Sequence, residues 1–260
     1  MISITSFKRV WEFKYLIYNL VVRDLKVKYK GSSLGFLWSL FNPLLMLAMY
    51  TVAFQYILKV QTPNFPIFLF SAFLPWNFLN SSLQMGVVSI TENSNLVKKV
   101  YFPREVLPFS IILVNLFHFF LTFLVLIPAL LFFHVKIGVP FLFLVVIIFF
   151  QSLFVLGLTL AVSAYNVYYK DVKHFMEVLL QLWFWATPII WSIDRIPEKY
   201  RTLIYLNPLT SFIKAYRDTI LYNRFPSLLS IILFVCTGVL VFIIGLAIFH
   251  KKQRRFAEEI

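Results

Sequence analysis

The sequence contains a single cysteine, Cys236, which lies inside a long apolar run. One cysteine excludes an intrachain disulfide and a cysteine-based metal site. Charged residues are also scarce, at 13% of the 260 residues, whereas 60% are hydrophobic. A soluble domain of this size needs a far more polar exterior, so the composition predicts an integral membrane protein.

The residue patterns of nucleotide and metal chemistry are missing as well. No segment fits the phosphate-binding pattern G-x-x-x-x-G-K-[ST], and the seven glycines are scattered. The four histidines lie far apart, and the adjacent acids Glu258 and Glu259 lie at the C-terminal end. We therefore expect no catalytic residue, no metal and no cofactor bound by this chain. If the protein moves a substrate uphill, a partner must supply the energy.

Positive charge is in excess, with a formal net charge of +13. The Lys and Arg residues lie at the ends of apolar runs, where anionic lipid headgroups and the positive-inside rule place them, so a nucleic-acid partner is not expected.

Six uncharged runs predict six transmembrane helices, because about 20 apolar residues span the hydrocarbon core. The runs are 31–58, 60–91, 106–135, 137–169, 178–193 and 225–250. The fifth is short, so its helix must either take in 173–177 or stop early on the far side. About two thirds of the 24 Lys and Arg residues fall on the side of the two termini, which predicts that both termini are cytoplasmic.

The first 30 residues predict an amphipathic helix on the inner membrane surface. Aromatic and apolar residues recur at helical spacing on one side, and basic residues occupy the other. The aromatic side comprises Phe7, Trp11, Tyr15, Tyr18, Val22, Leu25 and Tyr29. Residues 251–260 are predicted to form a basic cytoplasmic tail.

A polar, basic segment separates the second and third runs, and within it residues 94–103 have helix-like spacing. Leu96, Val100 and Phe102 are predicted to share one side, with Lys98 and Lys99 between them. One interpretation is a plain connector held inside by its charge. Our hypothesis is a docking element that fits into a soluble partner.

The loop after the fifth run, residues 195–224, predicts a re-entrant hairpin on the outer side. It carries a mostly apolar segment, 202–213, which is too short to cross and is interrupted at Asn207-Pro208. Residues 211–221 predict a second short helix with Lys214, Arg217 and Asp218 on its polar side. These paired elements are interpreted as a lid over the outer end of a pathway.

Aromatic residues are abundant, with 31 Phe, 13 Tyr and six Trp. Such residues pack in lipid or mark the headgroup level, but as a set they also suit a sugar chain. The candidates for lining a path are Phe36, Trp38, Tyr50, Trp183 and Trp185. Asn42-Pro43 and Thr187-Pro188 are predicted sites of bending.

The segments KVKYKGSSLGFLW (26–38), NLVKKVYFPREVLP (95–108) and NPLT (207–210) resemble the permease subunits of type-2 ABC exporters for bacterial polysaccharides. That family includes O-antigen permeases of the Wzm type, capsule exporters and teichoic acid exporters. The resemblance covers essentially the whole chain. It implies a homodimer of six-helix permeases in the cytoplasmic membrane, with two copies of a separate ABC ATPase that binds ATP and Mg²⁺. The implied cargo is a polysaccharide on a polyprenyl diphosphate.

The resemblance also implies roles for particular residues. The ATPase-coupling helix would comprise Asn95, Leu96, Lys98, Lys99, Val100, Tyr101, Phe102, Pro103 and Arg104. The entrance helix would use Trp11, Tyr15, Arg23, Lys26, Lys28 and Lys30, the basic ones steering the diphosphate. The outer gate would comprise Leu206, Asn207, Pro208, Tyr216 and Arg217.

Several alternatives remain open at this point. Within the family, the cargo could be another glycan, such as capsule or teichoic acid, or a small amphiphile. Outside it, a membrane-bound glycan transferase is disfavoured because no loop carries paired acids. A self-sufficient channel would have no use for a basic docking segment.

Overall fold

The computed structural model describes residues 10–32, 34–60 and 62–260, and every regular element in this part of the chain is helical. The predicted all-α class is therefore confirmed for the described residues. The α-helices are α1 (Lys14–Tyr29), α2 (Trp38–Thr51), α3 (Phe65–Val87), α4 (Ser94–Lys99), α5 (Val106–Phe132), α6 (Leu144–Tyr168), α7 (Val172–Ala186), α8 (Glu198–Tyr205), α9 (Pro208–Ile220), α10 (Leu228–Lys252) and α11 (Phe256–Glu259).

Four helical segments in the described part are long and apolar enough to cross a membrane. They are Leu40–Ile57, Val106–Phe132, Val139–Tyr168 and Leu228–Arg255. The second and fifth of the six predicted spans correspond to α3 and α7. Helix α3 has 23 residues but carries polar side chains and is mostly buried, and α7 has only 15 residues. Length and composition thus establish a multi-pass membrane protein.

The two predicted bends differ in outcome. Pro43 lies inside α2 without ending it, and the helix continues to Thr51, where a π-helical stretch, Val52–Ile57, takes over. By contrast, α7 ends at Ala186 and Thr187 is extended, because a following proline disfavours the helical conformation. Since α7 begins at Val172, it takes in residues 173–177, one of the two options predicted for the short span.

Helices α6 and α10 pack together through glycine backbones. A Cβ atom built on Gly245 would lie 1.9 Å from the carbonyl oxygen of Gly157, and one built on Gly157 would lie 2.5 Å from the carbonyl oxygen of Val241. Small residues permit such close approach of helices in membranes. The two helices therefore form one tightly fitted pair.

Helix α1 packs along α5 and buries Ile17 and Leu20. Tyr15 and Tyr18 of the predicted aromatic side are exposed, so that side does not pack on the protein. Phe7, also predicted for this side, lies outside the described residues. The location of α1 in the headgroup plane stays a prediction.

Candidate functional site

The segment between α3 and α5 forms a short helix, α4, as its spacing predicts. Two hydrogen bonds fix the residue before it: Asn93 Nδ2 donates to the carbonyl oxygen of Ser89 (2.8 Å), and Arg23 Nη1 donates to Asn93 Oδ1 (2.9 Å). The structure thereby brings Arg23, predicted for the entrance helix, to the start of the predicted coupling helix.

Val97 and Phe102 anchor this segment, and its most exposed side chain is Tyr101. Val97 and Phe102 are buried, whereas the side chains of Lys98 and Lys99 face outward and Tyr101 is 96% exposed. The prediction that Val100 and Phe102 share one side is wrong, since Phe102 is buried and Val100 is 50% exposed. Helix α4 ends at Lys99 and Val100 is extended, so the helical period no longer applies there.

The C-terminal residues Gln253–Glu259, named here the C-terminal hook, fold back onto the base of this segment. Arg104 Nη1 donates to the carbonyl oxygen of Gln253, and Gln253 Nε2 donates to Glu105 Oε1 (3.3 Å). His250 Nε2 lies 2.7 Å from the same Glu105 oxygen. The base of the predicted coupling segment is thus fastened to the C-terminal end of α10.

An aromatic cluster holds the C-terminal hook in place. Phe256 is fully buried, with its ring centroid 5.4 Å from that of Phe249 and 6.4 Å from that of Tyr168. Tyr168 donates a hydrogen bond to the carbonyl oxygen of Lys252 (2.7 Å), and the Lys252 ammonium lies 4.4 Å from the Tyr168 ring centroid. The residues predicted as a basic tail are therefore packed against the C-terminal ends of α6 and α10.

Helices α8 and α9 are joined at Asn207-Pro208, at the end of α3 that lies opposite to α4. Asn207 is the N-cap of α9, and its Oδ1 accepts from the backbone N–H of Leu209 (3.1 Å) and from Trp183 Nε1 (2.9 Å). Its Nδ2 donates to Thr187 Oγ1 (2.9 Å). One amide side chain thus fixes the start of α9 to the end of α7. Neighbouring Leu206 is 74% exposed.

Helix α9 is almost entirely buried between α3, α6 and α10. Tyr216 donates a hydrogen bond to Gln151 Oε1 (2.6 Å), and Gln151 Nε2 donates to the carbonyl oxygen of Pro75 (2.8 Å). The prediction that Lys214, Arg217 and Asp218 form a polar side of this helix is wrong in part, because Arg217 and Asp218 are only 6% and 3% exposed. Gln151 had no sequence signal beyond a polar residue in an apolar run.

The predicted path-lining aromatics fall in different places. Trp183 donates a hydrogen bond to Asn207, and Tyr50 packs on Phe73 and Phe184. Trp185 is exposed, and the side chain of Phe36 lies outside the described part. Of the four whose side chains the structure describes, only Trp38 is among the residues lining a cavity of about 670 Å³ between α2, α3 and α5.

The walls of this cavity are largely apolar, but polar side chains also line it. They are Lys28, Asn42, Asn77, Ser81, Asn115, His118 and Thr122. Partial burial lowers the pKa of the Lys28 ammonium below its ordinary value. Lys28, predicted for the entrance helix, therefore contributes a positive charge to the lining of this cavity.

Replacing Asn207 with Ala should lower the stability of the hairpin. The change removes an N-cap, worth about 1 kcal/mol, and leaves the Trp183 N–H without its acceptor, at a cost of about 1–3 kcal/mol. We expect a lower apparent melting temperature of the purified protein, followed by tryptophan fluorescence. Asn207→Asp retains the acceptor oxygen and should be milder. Equal melting temperatures for wild type and Asn207→Ala would show that these bonds contribute little.

The described helices form a multi-pass membrane bundle, with the exposed segment around α4 at one end and the packed pair α8 and α9 at the other. The sequence model of the ABC-2 type transporter family matches residues 15–221, and the chain belongs to that family.

Relatives match over nearly the full length. The chain is 36% identical to the "O-antigen export system permease protein RfbA" of Klebsiella pneumoniae, covering 97% of this chain and 99% of that protein. It is 34% identical to the protein of the same name from Myxococcus xanthus, covering 97% and 98%. A more distant relative, at 21% identity over 92% of this chain and 94% of its own, is the "Polysialic acid transport protein KpsM" of Escherichia coli.

Proposed function

We propose that this chain is the permease subunit of an ATP-driven exporter. It moves polysaccharide linked to a polyprenyl diphosphate, with O-antigen as the favoured cargo, from the cytoplasm across the cytoplasmic membrane. The observation that carries the proposal is the inner segment, where a 96% exposed Tyr101 and two outward lysines stand on a base fixed by Val97 and Phe102. The full-length similarity to O-antigen export permeases supports the cargo.

A six-span topology follows if α3 and α7 also cross. Helix α3 runs for about 35 Å, at about 1.5 Å per residue, which matches the membrane thickness. Its polar side chains are acceptable because the helix is mostly surrounded by protein. With six spans, α4 and both termini lie on the cytoplasmic side, in line with the distribution of Lys and Arg. The hairpin of α8 and α9 then lies on the outer side.

The assembly we propose contains two permease chains and two ABC ATPase subunits. Helix α2 supports a second copy, because only 6% of its apolar span is buried within one chain. The ATPase subunits bind ATP and Mg²⁺ and dock on α4 and its flanks. This chain contributes no nucleotide site of its own.

The route of the cargo begins beside α1 and ends at the hairpin. Arg23, Lys26, Lys28 and Lys30 attract the diphosphate, as clustered basic residues do. The buried contacts of Asn207 and Tyr216 hold the hairpin closed as an outer gate.

Reconstitution tests this function directly. The chain, with its cognate ABC ATPase subunit, is placed in liposomes with lipid-linked O-polysaccharide, and ATP-dependent movement of the glycan is measured. We expect transport only with both subunits and an ATPase whose Walker lysine is intact. If the complete transporter moves a different glycan but not O-polysaccharide, that glycan is the cargo. Export or ATP hydrolysis by the chain without its partner would refute the proposal.

A further inference from the structure

A second cavity, of about 420 Å³, lies at the hairpin, at the opposite end of α3 from the coupling segment. Its walls come from the start of α3, the turn after α7, the end of α8 and most of α9. They include three cations, Lys214, Arg217 and Arg224, and two carboxylates, Asp194 and Asp218. Tyr205 and Tyr222 add aromatic surface.

Arg217 is the unusual group in this cavity, because it is 6% exposed and has no carboxylate partner among the described residues. Its Nη2 donates to the carbonyl oxygen of Ile189 (2.7 Å), and its Cζ lies 3.6 Å from the centroid of the Phe68 ring. Its Nε has no hydrogen-bond partner. A buried guanidinium in this state lacks the counter-charge that normally accompanies burial.

The neighbouring carboxylate does not fill that role. Asp218 Oδ1 accepts from Arg224 Nε (2.8 Å) and Nη2 (2.6 Å), so its charge is already matched. Lys214, one turn before Arg217, lies 5.5 Å from the centroid of the Tyr205 ring, and no ion pair forms to it within the part of the chain that the structure describes. The second carboxylate of the cavity, Asp194, accepts from Ser192 Oγ (3.0 Å) and forms no ion pair with either cation among the described residues. Lys214 and Arg217, on one face of α9, are thus left without an ion-pair partner, and the three cations of the lining outnumber its two carboxylates.

The chemistry that completes this arrangement is a compact anion. Neutral sugar hydroxyls would satisfy hydrogen bonds but not the unmatched charge of Arg217. A phosphate supplies several strong acceptor oxygens to guanidinium and ammonium groups. The tyrosines and Phe68 give the cavity an apolar side that suits a lipid.

We propose that this cavity binds the phosphate of a lipid headgroup at the outer face of the permease. On the proposed function, which this inference deepens, that lipid is the polyprenyl diphosphate delivered with its glycan. Binding there would hold the carrier beside the hairpin while the polysaccharide leaves. Phosphate lipids of the surrounding outer leaflet share the same chemistry and are distinguished below.

Lys214→Gln is the test variant, because Lys214 is only partly buried and α9 should remain folded without it. The complete transporter, in nanodiscs of phosphatidylcholine, is titrated with farnesyl diphosphate, and the dissociation constant is measured calorimetrically. We expect saturable binding that the variant weakens about tenfold, since it loses one charge-assisted contact. Lys214→Arg should restore the affinity. Lys199→Gln, a lysine in the same hairpin but outside the cavity, is the matched control.

Two results would overturn the site: equal affinity of wild type and Lys214→Gln, or an equal loss in Lys199→Gln. Competition then identifies the source of the phosphate. Displacement by phosphatidylglycerol supports a general lipid-phosphate site, and failure of phosphatidylglycerol to displace supports the carrier diphosphate. The titration requires no ATP and no export, so a wild-type transporter that exports with ATP but shows no saturable binding rejects this site while leaving the proposed function in place.

Discussion

Replacing Tyr101 with Ala is expected to detach the ATPase subunit without unfolding the permease. Because the side chain is 96% exposed, its removal should change the free energy of unfolding by less than about 0.5 kcal/mol. An exposed tyrosine at the centre of an interface can contribute about 2 kcal/mol to binding, which corresponds to roughly 30-fold weaker affinity. Co-purification with the ATPase and the affinity of the two purified subunits are the measurements.

Three further variants separate docking from other effects. Tyr101→Phe keeps the ring and should retain most of the affinity. Val97→Ala removes a buried anchor, so it should lower the melting temperature of the isolated permease as well. Reversing the charges of Lys98 and Lys99 to Glu should lower ATPase association, because charges at an interface rim steer the encounter of the two proteins. The association that remains should depend on the salt concentration. Unchanged association of Tyr101→Ala and of the double reversal would mean that the ATPase docks elsewhere.

Replacing Gly245 with Val is expected to have the largest effect on folding. Its Cβ would lie 1.9 Å from the carbonyl oxygen of Gly157, and a backbone atom cannot move aside as a side chain does. Overpacking costs about 1–3 kcal/mol where side chains can adjust, and this contact should exceed that range because α6 and α10 must separate. We expect little folded protein in detergent and a lower melting temperature of what remains.

The matched control for Gly245→Val is Ala247→Val, two residues further along α10 on its exposed side. It adds bulk to the same helix without touching α6, so yield and melting temperature should stay close to those of wild type. Similar behaviour of the two variants would show that the α6–α10 contact is looser than the structure indicates.

Apolar runs located the long helices well because a chain in lipid must satisfy its backbone hydrogen bonds internally. The run 106–135 encloses α5, and the run 225–250 covers α10 except for its last two residues, Lys251 and Lys252. Local departures from regular helix could not be predicted from the sequence. Pro43 does not end α2, whereas the helix changes to a π-helical stretch after Thr51, where no residue type predicts it. The anchor Val97 was missed because the helical period was extended beyond Lys99, where α4 ends.

The buried polar contacts could not have been predicted from periodicity. The bonds from Tyr216 to Gln151 and from Gln151 to Pro75 join three helices that are distant in sequence. Their pairing depends on tertiary packing, which a single sequence does not specify. Asn207 was singled out through its motif, but its contacts with Trp183 and Thr187 became apparent only once α7 and α9 were placed together. The C-terminal hook was read as a tail because its short helical turns have no long apolar period.

The glycine contact between α6 and α10 has a mechanical consequence. Helices whose backbones touch cannot slide freely past one another, so the pair should tilt as a single rod. The C-terminal end of the pair is tied to Glu105 through the C-terminal hook, and near the other end Gln151 accepts a hydrogen bond from Tyr216. A force applied at the segment around α4 would then be transmitted to α9 along this rigid pair, which would act as a lever.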